Sequence, residues 1–370
     1  MIIFAHLLND RSGSPKVLLS VLNAISEKRI LNKLFIGSDG VGVLDEANIK
    51  IKKYWYRRTR LKIITLITYI ISQIHLVITL FKDRTIAPEA IIYVNTLLPF
   101  GAAIYGKMTG KIVIYHLHEV SLGPAPLRWF LLSVVRLTAR RLIYVSDFHR
   151  NFIPIKNVPS YVVHNALSQA FIDKANINKY NHRQEGKFNV LMLSYLRDYK
   201  GIPELVTLAR MLTSRKDIHF NLVVNEDEVT FENYLKVTSI PSNLTLYPRT
   251  NDPTTHYAKA SLVMNLSRPD QCIETFGLTL LEALSFGIPV IAPPAGGPLE
   301  LVTNDSEGYL IDSRDGDKLK EVILKLAADE SLCQRFSEAA RIKASQFSQD
   351  TFEKKLREIL KPQQIEIKEK

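Results

Sequence analysis

The sequence predicts an α/β protein of two doubly wound domains, and three observations predict it. Short β-rich runs alternate with helical runs from one end to the other, the pattern of parallel sheets flanked by helices. The chain has 370 residues, too many for one typical domain, and with 46% hydrophobic residues it can bury two cores. A polar stretch from Ser168 to Lys187 lacks apolar periodicity and marks a boundary near the middle. The domains expected are residues 1–170 and 187–345. Residues 346–370 would hold a last helix, Thr351 to Leu360, and a charged, frayed tail after Pro362.

In the first half the expected strands are Ile2 to Leu8, Lys33 to Ser38, Ala90 to Asn95, Lys111 to His116, Leu142 to Val145 and Tyr161 to His164. In the second half they are Asn189 to Ser194, His219 to Val224, Leu244 to Tyr247, Leu262 to Leu266 and Pro289 to Ala292. Ligands of open α/β sheets bind beyond the carboxyl ends of strands, so the loops that follow strands are the ones to read.

The first such loop is Asn9 to Pro15, where Gly13 between two serines permits a tight turn onto a helix starting near Val17. Its opening, Met1-Ile2-Ile3-Phe4-Ala5, reads as a strand rather than a signal peptide. Further on comes Tyr115-His116-Leu117-His118-Glu119. Strand alternation puts both histidines on one side, but no third protein ligand stands at metal spacing, so no metal is expected. Both cysteines, Cys272 and Cys333, stand alone, which suits a reducing compartment.

The net charge of +11 is uneven. Residues 1–186 carry 25 Lys and Arg against 11 Asp and Glu; the remainder carries 23 against 26. A basic first half suits an anionic surface or substrate, and the sequence has no zinc finger, RNP motif or basic zipper for nucleic acid. The basic charge concentrates in residues 50–62, interleaved with Tyr54, Trp55 and Tyr56, just ahead of the uncharged run Ile63 to Phe81. That run is long enough to span a bilayer. Spanning, however, would put strands of one sheet on opposite sides, and Thr65, Thr68, Ser72, His75 and Thr79 make a polar stripe at helical spacing. The expectation is a domain helix with one face on the sheet and the other near anionic lipid, so that residues 50–81 attach a cytoplasmic protein peripherally to the inner membrane face.

In the second half, Leu193 to Gly201 places Arg197 and Lys200 in a loop after a buried strand, where two cations can clamp a diphosphate. Arg249 follows another strand. The richest stretch is Arg268 to Val302. Leu280, Leu281 and Leu284 repeat at helical spacing, so a helix should begin near Leu278 with its first amides bare, a favourable seat for phosphate. Gly277 lets backbone approach a ligand closely. Glu274 precedes the helix and Glu282 lies about one turn inside it, so each carboxylate can accept bonds from hydroxyls at one end of a nucleotide sugar. A buried strand and the Gly296-Gly297-Pro298 turn complete the order.

This combination closely resembles the donor site of retaining glycosyltransferases of family 4, which have the GT-B fold of two Rossmann-like domains facing a central cleft. The likeness is strongest from Asn243 to Asp312 and weaker over nearly the whole chain. It implies a metal-independent enzyme with no resident cofactor, moving a sugar from a nucleotide diphosphate to a hydroxyl on a glycan or lipid-linked saccharide. It implies that Arg197, Lys200 and the Leu278 and Thr279 amides hold the diphosphate. Glu274 and His118 then touch the sugar, Glu282 holds the ribose, and Phe276, Gly277, Arg249 and Gly13 belong to the donor-binding loops. The last helix should cross back to the first domain. Two other readings stay open: a GT-B sugar-nucleotide epimerase, which needs no acceptor, and a non-catalytic scaffold that binds nucleotide sugars.

Overall fold

The computed structural model describes residues 1–25, 32–120, 123–237 and 239–361. The tail expected after Pro362 lies outside them. The chain divides into two compact units. One comprises Met1–Val145, Ile153–Ala166 and the segment from Gln349 on; the other comprises Ser146–Phe152 and Leu167–Ser348.

The first unit is built on a seven-stranded sheet. Its strands are β1 (Ile2–His6), β2 (Lys33–Gly37), β3 (Lys50–Tyr54), β4 (Ile91–Asn95), β5 (Val113–Leu117), β6 (Arg141–Tyr144) and β7 (Ser160–Val162). The second unit has six: β8 (Phe188–Ser194), β9 (Ile218–Val224), β10 (Leu244–Tyr247), β11 (Leu262–Met264), β12 (Val290–Ala292) and β13 (Gly308–Leu310). Every ladder is parallel, running β3-β2-β1-β4-β5-β6-β7 and β10-β9-β8-β11-β12-β13. Helices cover both faces of such a sheet, so its strands are apolar along their whole length; β1, β2, β4, β5 and β6 are buried at every position.

Two strands were not expected. β3 reads Lys-Ile-Lys-Lys-Tyr and lies at the sheet edge, paired only with β2. Its lysines discourage pairing with other chains, and they also mask its apolar pattern. The start of the basic run assigned to a membrane surface is thus sheet edge, with Lys52 2.8 Å from Asp83 and Lys33 2.7 Å from it. β13 is three residues beginning at Gly308, where an added Cβ would lie 1.8 Å from the Val290 carbonyl oxygen.

In both sheets the strand order reverses beside the first strand, between β1 and β4 and between β8 and β11. Crossovers leave those points in opposite directions, which opens a crevice at the carboxyl ends there. The last helix, Gln349–Leu360, packs in the first unit: Arg357 donates to the Ala24 carbonyl at 3.1 Å, and Arg141 of β6 donates to the carbonyls of Ile359 and Lys361.

Among the described residues one helix, Lys62–Lys82, is long and apolar enough to cross a membrane. Its orientation reverses the usual sidedness of a surface helix. The buried face holds Tyr69, Ser72, Gln73, Leu76 and Leu80. Ile63, Ile67, Ile70, Ile71, Ile74, Ile78 and Phe81 are exposed. Ser72 of the polar stripe turns inward with Thr65 and Thr68 half-buried beside it, and this side of the helix, with Tyr69 and Gln73, has partners there. Thr68 donates to the Arg57 carbonyl at 2.7 Å, Tyr69 to that of Leu98 at 2.7 Å, and Gln73 Oε1 accepts from the Gly101 amide at 3.1 Å. A Cβ on Gly101 would come within 2.5 Å of the Gln73 carbonyl, so glycine sets how closely the helix Phe100–Met108 approaches. His75 departs from the stripe: it is exposed and accepts from the Trp55 amide at 2.7 Å.

Candidate functional site

In the second unit the switch point lies at the ends of β8 and β11, and the loops that follow them meet there. After β8, Arg197 to Lys200 close a short turn on Gly201, whose φ is 86°. A side chain at Gly201 would lie 2.3 Å from Leu266, so glycine seats this loop directly on the one after β11; the Arg268 amide also donates to the Tyr199 carbonyl at 2.8 Å.

Lys200 reaches Glu274 with Nζ 2.6 Å from Oε1, and Ser267 Oγ donates to the same oxygen at 2.8 Å. Both side chains of the pair are about one-fifth exposed, at 20% and 21%. Burial alone would push the Glu274 carboxyl up, but the Lys200 ammonium, with hydrogen bonds from Ser267 and Asn265, outweighs it and holds the acid below its ordinary range. Burial likewise disfavours the charged lysine, and Glu274 outweighs that too, raising Lys200. The pair therefore stands ionised at neutral pH.

Arg197 does not join it. Its exposed side chain pairs with Glu226 at 3.0 Å. Arg249 is exposed as well; it adds a small favourable charge near Asp227, whose ionised form is held chiefly by hydrogen bonds from the Thr230 amide and hydroxyl.

Gly277 sits ahead of the helix Leu278–Ser285 with φ 106°, a left-handed conformation. The Leu280 and Leu281 amides bond to its carbonyl, so those of Leu278 and Thr279 lie ahead of the first helical hydrogen bond, and both residues are partly exposed. Leu280, Leu281 and Leu284 are buried, as their spacing predicts. Phe276 is buried with its ring 5.6 Å from that of Phe347, which anchors the loop. The glycine turn locks the loop from behind. The Gly297 amide donates to the Glu274 carbonyl at 2.8 Å, and a Cβ on Gly296 or Gly297 would lie 2.4 Å from Glu274 O or Phe276 Cα respectively.

Glu282 is buried, and its Oε2 accepts from the Tyr257 hydroxyl at 2.6 Å. Glu300 accepts from the amides of Asp147 and Phe148 at 3.2 and 2.7 Å, and Ser146 donates to the Thr275 carbonyl at 2.6 Å. These bonds bring Ser146–Phe152 into the second unit, a departure from the linear boundary expected near residue 170.

The first unit has its own cluster at the β1–β4 switch point. Gly13 is exposed and is the first residue of the helix Gly13–Ile25, not a turn ahead of it. Asn95, at the end of β4, is wholly buried. Its Nδ2 donates to the Ser14 carbonyl at 3.2 Å, and its Oδ1 meets His118 Nε2 at 2.9 Å. A carbonyl only accepts, so the amide orientation is fixed, and His118 Nε2 must carry the proton. The rings of His116 and His118 are 4.3 Å apart, on one side as alternation predicts, with His116 Nδ1 2.7 Å from the Tyr93 hydroxyl. Glu119 accepts from the Leu97 amide at 3.2 Å, and burial pushes its carboxyl up to about 7. His6, at the end of β1, is lowered to about 4 by burial.

Sequence reading missed Tyr257, Ser267 and Asn95. Each supports a neighbour within a loop or strand end, and no spacing links Tyr257 to Glu282 or Asn95 to His118.

Residues 173–343 match the family model described as "Glycosyl transferases group 1". A segment of 165 residues is 31% identical to a poly(glycerol-phosphate) alpha-glucosyltransferase of Bacillus subtilis, covering 40% of this chain and 24% of that protein; the match thus spans about a quarter of the relative's length. Among solved structures, Anabaena HepE in complex with UDP-glucose superposes with a TM-score of 0.76 at 21% identity, over 97% of this chain and 98% of that one. WaaG, a glycosyltransferase involved in lipopolysaccharide biosynthesis, gives 0.74 at 14% identity, over 97% and 99%. At these identities the structures share the fold.

Proposed function

We propose, from a chain of GT-B fold whose residues 173–343 belong to the glycosyl transferases group 1, that it moves a sugar from a nucleotide diphosphate to an acceptor hydroxyl. The observation that carries the reading is the ionised Lys200–Glu274 pair, set beside the start of the helix Leu278–Ser285 at the switch point of the second sheet. A nucleotide diphosphate sugar needs a cation for its phosphates, amides for their oxygens and an acceptor for its sugar hydroxyls. Lys200, the Leu278 and Thr279 amides and Glu274 supply those in turn. As the sugar leaves, negative charge grows on the diphosphate, and Lys200 and the helix start stabilise it. Arg197 would leave Glu226 to join them.

Under this reading the positive groups that hold the diphosphate belong to the chain, so turnover continues with chelator present. The configuration at the transferred carbon is kept, with Glu274 positioning the sugar rather than attacking it. His118 is a second substrate contact. The acceptor is a glycan or lipid-linked saccharide. The exposed isoleucine row of Lys62–Lys82, flanked by Arg57, Arg58, Arg60 and Lys62, supports attachment to an anionic membrane surface on the cytoplasmic side.

A thermal-shift screen across UDP, GDP and ADP sugars tests the donor, followed by turnover with the best binder, with and without EDTA, and by the anomeric coupling of the product in a proton NMR spectrum. Silence across the whole screen defeats the proposal. For the membrane, the protein should float with vesicles of phosphatidylglycerol and phosphatidylcholine at moderate salt; remaining with the unbound fraction rules the attachment out.

A further inference from the structure

We propose that Tyr257 is a positioning residue for the donor site, orienting the Glu282 carboxylate toward the ribose hydroxyls of a bound nucleotide. The inference rests on the reading above, in which Glu282 holds the ribose.

The geometry is local to the second unit. Tyr257 ends a short helix, Thr254–Tyr257, and its ring is fixed among aromatics. It stacks on Phe286 with centroids 5.6 Å apart, and Phe171 meets both rings edge-on at 6.0 and 5.6 Å. The turn before it is pinned by Asp252, which accepts from the Thr254 amide and hydroxyl at 3.1 and 2.6 Å. The phenol therefore reaches Glu282 Oε2 from a rigid base. It is a donor throughout the neutral range, because burial and then the carboxylate itself raise its ionisation well above the ordinary value.

Glu282 lies on the helix Leu278–Ser285, whose first amides are assigned to the diphosphate in the reading above. A glutamate has three rotatable side-chain bonds, and a carboxylate free to turn would lose entropy on gripping a diol. With Oε2 held by Tyr257, the plane of the group is set and Oε1 is left for the ligand. A purely structural tyrosine would support all nucleotides alike. A positioning one acts only through hydroxyls that Glu282 can hold.

That difference defines the experiment. Affinities of UDP, GDP and ADP, and of their 2′,3′-dideoxy forms, are measured by calorimetry for the wild type, Tyr257→Phe and Glu282→Ala. Phenylalanine keeps the ring and its packing. Tyr257→Phe should weaken the preferred nucleotide by about tenfold, or 1.4 kcal/mol, and its dideoxy form by less than about twofold. Equal weakening of both, or of neither, overturns the inference. The dideoxy affinity also reports whether the variant is folded. If Glu282→Ala fails to discriminate the pair, the ribose reading of the site fails instead, whatever Tyr257 does.

Discussion

Replacing Lys200 by Met keeps the length and apolar stem of the side chain and removes its ammonium. Glu274 then retains Ser267 as a donor but loses the charge 2.6 Å from Oε1. Stripping one partner from a fully buried pair costs about 3–5 kcal/mol. Here both side chains are about one-fifth exposed, and solvent screens the remaining carboxylate, so about 2 kcal/mol is the expected loss at pH 7. For a domain of this size that lowers Tm by about 4–8 °C. The pH dependence has a fixed sign. Glu274 is depressed in the folded wild type, so its contribution is present above the unfolded carboxyl value and is lost as pH falls through the folded one. In K200M burial wins and the carboxyl rises, so the deficit shrinks on acidification. Urea titrations at pH 7 and pH 4.5 measure both, and the double variant K200M/E274Q should recover at least 1 kcal/mol, about half the loss. A K200M protein as stable as wild type at pH 7, with no coupling to E274Q, would refute the ion-pair argument.

Gly297→Ala places a methyl 2.4 Å from Phe276 Cα, backbone that cannot swing aside, so thermal melts should show a loss of about 2–3 kcal/mol and donor binding should fall with it. His118→Gln preserves a nitrogen donor where Nε2 meets Asn95, whereas His118→Asn does not; steady-state turnover should fall about tenfold further in the Asn variant, and equal losses would contradict the tautomer assigned. Glu119 is raised to about 7, so its ionisation opposes folding, and stability falls as pH rises from the unfolded value near 4.5 toward 7. Glu119→Gln should remove that slope, gaining about 3 kcal/mol over wild type at pH 8 and nothing at pH 4, read from paired urea titrations.

Much of the fold was legible because a parallel sheet with helices on both sides demands continuous apolar runs, and those runs are visible in the sequence. β3 was not, since Lys50, Lys52 and Lys53 guard an edge and erase the pattern. In the second domain the order of Glu274, Gly277 and the leucine repeat placed a helix start at Leu278, where it stands. The inward turn of Ser72 and Gln73 was invisible, because periodicity identifies a stripe without saying which side the protein occupies; Gly101 and Leu98, far off in sequence, decide it. Arg197 shows a further limit. A loop position names its neighbours along the chain, while Glu226, which holds it, comes from the loop after β9.

The segment Ser146–Phe152 bears on how this molecule can be dissected. It leaves one unit between β6 and β7, lends its amides to Glu300 and its serine to Thr275, and returns. A single cut in the linker would yield a fragment whose Glu300 had lost the donors it was folded around. Excision therefore needs a graft of this short helical excursion as well, and proteolysis within it would loosen the very loop that carries Glu274 while leaving both sheets whole.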